Sequence, residues 1–227
     1  MKNSLQARTY NSSQQHEERQ MEAPHRDSEK HLQIRRHYEW RITPDRQNHE
    51  ILDWASPFSQ MTRFAVLADN VPLAGKSLLD IGCGLGDLLG FLNSRDIPVD
   101  YTGVDVSPRM VEEAAKRHGG KFMHMDVFAD DCPLEAGSFD VVYSSGAFNL
   151  NLGNNLEFMP RALERMLHLA RGSMAVNLLH CRCCTDDPVY FHHDPANILR
   201  MLDKLPCSVL LLDDYLPNDF TVICRKQ

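Results

Sequence analysis

The chain has 227 residues, 43% of them hydrophobic, enough for one buried core plus a tail. A formal charge of −7 lacks the basic footprint of a nucleic-acid or anionic-membrane binder, so neither partner is expected. No apolar run reaches the roughly 18–20 residues that span a bilayer, and the polar opening MKNSLQARTYNSSQQHEERQ has no signal-like stretch, so a cytoplasmic protein is expected.

Residues 1–36 are rich in Gln, Ser, Glu, Arg and His without a sustained apolar period, and are expected to be a disordered tail or a lid lying on something else. The ordered domain is expected over 37–227, opening on Tyr38 and Trp40. Ser56-Pro57 supplies an N-cap and a first-turn proline, which predicts a helix over about 57–69 with Phe58, Met61, Ala65 and Ala68 on its buried stripe. Strand Ser77–Ile81, helix Asp87–Asn93, strand Tyr101–Val106, helix Pro108–Arg117, strand Lys121–Asp126 and strand Phe139–Ser144 follow. A helix is predicted over about Leu156–Ala170, with Pro160 able to kink its first turns. Strand Ser173–Leu179, helix Pro195–Leu205, and strands Ser208–Leu212 and Phe220–Cys224 complete the chain. Alternation of this kind marks a parallel sheet covered by crossover helices. The link Asp213–Asp219 is too short for a crossover, so the final two strands should be antiparallel.

The segment Leu78-Leu79-Asp80-Ile81-Gly82-Cys83-Gly84-Leu85-Gly86-Asp87 runs an apolar strand into a glycine-rich turn and then a helix. Glycine lets a ligand approach the backbone and lets the turn take positive φ. Asp105 ends the next strand about 20 residues on, where a carboxylate can accept bonds from ribose hydroxyls, and Asp126 ends the strand after that. Three successive strands thus finish in ligand-binding chemistry along one sheet edge. A dinucleotide fingerprint fails, because the third glycine position holds Asp87 counting from Gly82 and Leu89 counting from Gly84. Asp87 at the helix start would also repel a pyrophosphate. A cofactor with ribose and adenine but no phosphate fits better.

These residues resemble the motifs of the class I S-adenosylmethionine-dependent methyltransferases. The resemblance implies a Rossmann-like α/β three-layer sandwich with a seven-stranded, mostly parallel sheet of order 3-2-1-4-5-7-6 and an antiparallel last strand. It implies S-adenosylmethionine as cofactor, its methionine part against Asp80, Gly82 and Gly84 in the turn that also holds Cys83 and Gly86. Asp105 would hold the ribose, Val106 and Met110 would flank the adenine, and Asp126 with the Val127 amide would bond its edge. Ser144, in Phe139-Asp140-Val141-Val142-Tyr143-Ser144-Ser145-Gly146, would end the fourth strand near the transferred methyl. The tetrapeptide of many nucleic-acid amine methylators is replaced after that strand by Ser144-Ser145-Gly146-Ala147-Phe148-Asn149, which favours a small-molecule acceptor. Trp54-x-Ser56-x-x-x-Gln60-x-x-Arg63-Phe64 and Asp214-Tyr215-Leu216-Pro217-Asn218-Asp219-Phe220-Thr221 resemble a bacterial subgroup of the family. In relatives a leading arginine often pairs with the cofactor's carboxylate, and Arg63 is the counterpart here, read as lying away from the buried stripe so that its loss would leave ligand-free stability nearly unchanged.

Seven cysteines, odd in number and scattered, fit reduced thiols better than a disulfide framework. His180-Cys181-x-Cys183-Cys184 with His192-His193-Asp194 carries metal-ligand chemistry, but adjacent cysteines diverge and no metal is expected. This segment is read instead as acceptor-site lining, with Asn149, His180, Tyr190 and His192 as candidate contacts. His180, Tyr190 and His192 are candidate bases, although no residue is assigned as catalytic. His16, His25, His31 and His37 read as part of a solvated tail or lid. Two alternatives stay open: aminopropyl transfer, which would need acids such as Asp140 and Asp213 to hold a polyamine, and a non-catalytic module binding the same cofactor.

Overall fold

A computed structural model describes residues 28–183 and 188–227 of the chain. Residues 1–27, with His16 and His25, and residue Cys184 of the cysteine cluster lie outside the described residues. The described part runs α1 (Glu29–Tyr38), a 3₁₀ turn (Glu39–Arg41), α2 (Asn48–Ile51), α3 (Pro57–Asn70), β1 (Lys76–Ile81), α4 (Asp87–Ser94), β2 (Val99–Asp105) and α5 (Pro108–Arg117). It continues with β3 (Lys121–His124), β4 (Phe139–Ser145), α6 (Asn155–Leu169), β5 (Ala170–Leu179), α7 (Pro195–Leu202), β6 (Cys207–Leu212) and β7 (Asp219–Lys226). The expected domain boundary at 36/37 falls inside α1.

The seven strands form one sheet in the order β3-β2-β1-β4-β5-β7-β6, as expected. Pairing is parallel from β3 through β5, while β7 runs antiparallel to both β5 and β6. Alternate side chains point to opposite faces, so Leu79, Val142 and Val176 enter one core while Leu78, Val141 and Ala175 enter the other. The first core is closed by α6 and α7 through Leu163, Met166 and Ile198. The second is closed by α3 and α4 through Phe64, Leu67 and Leu88. No helix among the described residues is long and apolar enough to cross a membrane.

Local signals hold well in α5. Ser107 Oγ accepts from the Met110 amide, Pro108 opens the helix, and Lys116 and Arg117 pair with Glu112 and Glu113 at 2.8 and 3.4 Å. Pro160 lies within α6 without ending it. The strand expected to reach Asp126 stops at His124, and the Met125 amide bonds Asp105 O at 3.0 Å, so Asp126 leaves the sheet on a turn.

The predicted face of α3 needs correction. Its capping box at Ser56 and its Pro57 stand as expected, but the buried face is Ser59, Gln60, Arg63, Phe64 and Leu67. Phe58 is 73% exposed, and Met61, Ala65 and Ala68 pack only against the edge of the second core. Polar residues could take the interior because partners from distant elements satisfy them there.

Leu163 is 0% exposed between α6 and the sheet, whereas Leu156 is 51% exposed on the same helix. Leu163→Ala should cost about 2–5 kcal/mol of unfolding free energy in a urea titration. Leu156→Ala should stay within about 0.5 kcal/mol.

Candidate functional site

The carboxyl ends of the parallel strands open into one cavity of about 870 Å³. That is near the upper end of the roughly 300–1,000 Å³ usual for small-molecule sites. Its floor is the turn after β1, where Gly82 and Gly84 have φ of 72° and 53°. A Cβ on Gly82 would stand 2.7 Å from Ala147 Cβ, and one on Gly84 would stand 2.8 Å from Leu52 Cδ2, so the turn admits no side chain at either place. Asp105, from the end of β2, accepts from the Gly84 amide at 3.0 Å and the Ser107 amide at 2.8 Å. It therefore fixes both the glycine turn and the start of α5, while burial raises its pKa. Asp80 is 4% exposed, and burial pushes it up to about 7 even though Tyr101 Oη donates to it at 2.6 Å.

Arg63, Asp80, Gly82, Cys83, Gly84, Asp105, Val106, Met110, Asp126 and Val127 all line this cavity. Gly86 and Ser144 do not. Gly86 is the αL residue before α4, where a Cβ would stand 2.9 Å from the Phe122 ring, so its glycine serves packing. Ser144 is 0% exposed and donates to Ile81 O at 2.9 Å, leaving Ser145 to face the cavity. Among the candidate acceptor contacts, Asn149, Tyr190 and His192 line the cavity. His180 is turned to other work: its Nδ1 accepts from the Arg182 amide at 3.0 Å, and burial lowers its pKa. Asp140 lies at the opposite end of β4, bonded by the Ser77 amide and Arg171 at 3.0 and 2.7 Å, and Asp213 pairs with Arg182 at 3.7 Å. Neither lines the cavity, so the polyamine reading loses its acids. No group of three or more His, Cys, Asp or Glu among the described residues could hold a metal ion.

Arg63 is 1% exposed, not on the outer face of its helix as the sequence suggested. Its Nε and Nη2 donate to Asp219 at 2.9 and 2.5 Å, and Asn177 Nδ2 donates to the same carboxylate at 3.3 Å. The guanidinium lies 4.2 Å over the Trp54 ring, while Nη1 is buried without a partner. Trp54 in turn presses on Gly146 past β4, where a Cβ would stand 2.4 Å from the indole. Gln60 Nε2 donates to Asp87 at 2.8 Å, tying α3 to the helix after the glycine turn.

A further wall comes from α1, most of it in the stretch that the sequence left open between a disordered tail and a lid. Ser28, Lys30, His31, Ile34 and Tyr38 line the cavity. His31, Ile34 and Tyr38 are spaced i, i+3, i+7, a one-face signal present in the sequence but masked by the polar residues between them. His31 Nε2 meets Asp126 Oδ2 at 3.1 Å. Burial raises the pKa of Asp126, but His31 and the Phe128 amide bring it down on balance. At the far end of α1, Asp53 takes His37 Nε2 at 3.1 Å, Arg41 Nη2 at 2.8 Å and the Tyr190 hydroxyl on one carboxylate oxygen. The His37 bond, against burial and with Tyr190 and Arg41, brings Asp53 down to about 2. Asp53 holds φ of 60°, a left-handed conformation that Asp tolerates better than most non-glycine residues. One carboxylate thus ties the end of α1, the segment before α3 and the β5–α7 loop together.

Removing the buried guanidinium would strand the Asp219 charge, which overturns the expectation of unchanged stability. Arg63→Ala should lower ligand-free stability by about 3–5 kcal/mol, read by chemical denaturation. A loss under about 1 kcal/mol would mean that the pair is dispensable to the fold.

Residues 78–172 match a methyltransferase domain family. A Mycobacterium tuberculosis protein named only as a methyltransferase is 33% identical over 158 residues, which is 66% of this chain and 93% of that protein. A Mycobacterium leprae phthiotriol/phenolphthiotriol dimycocerosates methyltransferase is 32% identical over 46% of this chain and 37% of its own length. In fold, the chain is similar to magnesium protoporphyrin IX methyltransferase from Synechocystis PCC 6803 with bound SAM, at a TM-score of 0.60 and 18% identity over 88% of this chain and 93% of that one. With the sheet order, the glycine turn and the carboxylates at the strand ends, these likenesses show that the chain belongs to the class I S-adenosylmethionine-dependent methyltransferase family.

Proposed function

We propose that the cavity binds S-adenosylmethionine along β1–β3 and a small-molecule acceptor past β4, and that the chain methylates that acceptor. The observation that carries this reading is the convergence on one cavity of a side-chain-free turn, three strand-end carboxylates and a buried arginine with an unpartnered Nη1. This set fits the cofactor chemically. Arg63 Nη1 suits the amino-acid carboxylate, Asp80 its ammonium group, Asp105 the ribose hydroxyls, and Asp126 with the Val127 amide the adenine edge, between Val106 and Met110. Bound there, the cofactor supplies an electrophilic methyl group.

The chain's own part is orientation and exclusion of water. Trp54 and Leu52 press on Gly146 and Gly84, so the segment that carries Asp53 lies over both turns. We place α1 as the lid, latched through His31 to Asp126 and through His37 and Arg41 to Asp53. Where the acceptor must lose a proton, His192 is placed to take it. Its neighbours fix its backbone, the Phe191 amide to Asn149 O and the His193 amide to Leu179 O, both at 2.7 Å, and it lines the cavity. Tyr190 is a poor base because burial and Asp53 raise its pKa.

Calorimetry tests the cofactor site. S-adenosylhomocysteine should bind and nicotinamide dinucleotides should not, and Asp105→Ala should weaken binding by about 1–3 kcal/mol. Asp80 near 7 is partly protonated in the free protein, and an ammonium group beside it favours the carboxylate. Binding should therefore release a proton and tighten as pH rises from about 6 to 8, a dependence that Asp80→Asn removes. Unchanged affinity in the Asp105 variant would put the ribose elsewhere.

The lid is tested by limited proteolysis. Saturating S-adenosylhomocysteine should slow cleavage between residues 30 and 60, and equal cleavage with and without it would rule out closure by this segment.

A further inference from the structure

Hydrogen-bond accounting over the part of the cavity past β4 narrows the acceptor, given the cofactor placement above. Asn149, 4% exposed, uses its Oδ1 to accept from the Leu179 amide at 3.1 Å. Asn155, 8% exposed, donates to Phe148 O and Leu150 O at 3.2 and 2.9 Å while its Oδ1 accepts from the Leu152 amide at 3.0 Å. Asn149 reads as a substrate contact in the sequence, yet its Oδ1, like both ends of the Asn155 amide, is engaged in holding the loop between β4 and α6. The Tyr190 hydroxyl is bonded to Asp53. Arg161 donates to Phe128 O and Asp130 at 2.8 and 2.5 Å. What this part of the cavity presents is mainly carbon. Phe128, Phe148 and Phe158 form an aromatic cluster with ring centroids 5.2 to 6.4 Å apart, and all three line the cavity.

We infer that the acceptor is an uncharged, mainly apolar molecule seated against the Phe128–Phe148–Phe158 wall. A charge brought against the rings would lose its hydration with no counter-charge from them, and the nearby acids Asp53 and Asp126 already hold Arg41 and His31. An apolar body loses nothing on leaving water and gains ring contacts. Lys30 and His192 also line the cavity and are the cationic or protonatable exceptions, so an anionic probe is the discriminating control.

The test uses the full chain saturated with S-adenosylhomocysteine and two fluorophores sharing one ring skeleton, neutral N-phenyl-1-naphthylamine and anionic 8-anilino-1-naphthalenesulfonate. The neutral probe should bind saturably and about ten-fold more tightly than the sulfonate. Phe158→Ser should weaken it about five-fold or more while leaving S-adenosylhomocysteine affinity within about two-fold. Phe128→Ser is the second variant should the first unfold. Equal or tighter binding of the sulfonate, or neutral-probe affinity unmoved in a folded variant, would overturn the inference. Failure of the wild-type chain to bind S-adenosylhomocysteine would instead sink the cofactor reading, and the probe preference remains readable without it.

Discussion

The buried pair of Arg63 and Asp219 is the interaction on which the upper half of the site depends. A guanidinium 1% exposed and a carboxylate 0% exposed each lose most of their hydration, a cost met only when geometry and further bonds are good. Here two parallel bonds, the Asn177 amide and the Trp54 ring provide them. The pair joins α3 to β7 across 156 residues and sets Trp54 against Gly146. Asp53 comes next to Trp54, so the segment placed by the ion pair also carries the hub that gathers α1 and the β5–α7 loop. The end of α1, the turn after β4 and the β5–α7 loop are in this way referred to one buried charge pair.

The lower half rests on a different device, in which carboxylates order backbone. Asp105 accepts from amides of the glycine turn and of the residue capping α5, and Asp126 accepts from the Phe128 amide at 2.8 Å. Each strand-end acid thus shapes its own turn while keeping lone pairs for a ligand. Burial holds Asp80 and Asp105 above their ordinary pKa.

The loop after β4 is ordered by side-chain bonds as well. Loop 146–155 has few backbone partners in the sheet, and Asn149 and Asn155 supply side-chain bonds in their place. Phe128, Phe148 and Phe158 line the same cavity beside this loop, together with polar residues such as Ser145, Asn154 and His192.

The sequence by itself determined the sheet and the cofactor edge, because the signals there are local. A strand period of two, cap-plus-proline helix starts and a link too short for a crossover leave few alternatives, and glycines needing positive φ must be written at their own positions. Asp105 could be placed because the end of β2 is readable, whereas β3 stops two residues short of Asp126. Tertiary structure alone decided which face of α3 is buried, that Gly86, Ser144 and His180 turn away from the cavity, and that α1 forms a wall. In each case the deciding partner is far along the chain: Asp219 for Arg63, Ile81 for Ser144, Asp126 for His31. A charged or polar residue reads as surface until a distant group is shown to satisfy it, and no local pattern carries that pairing.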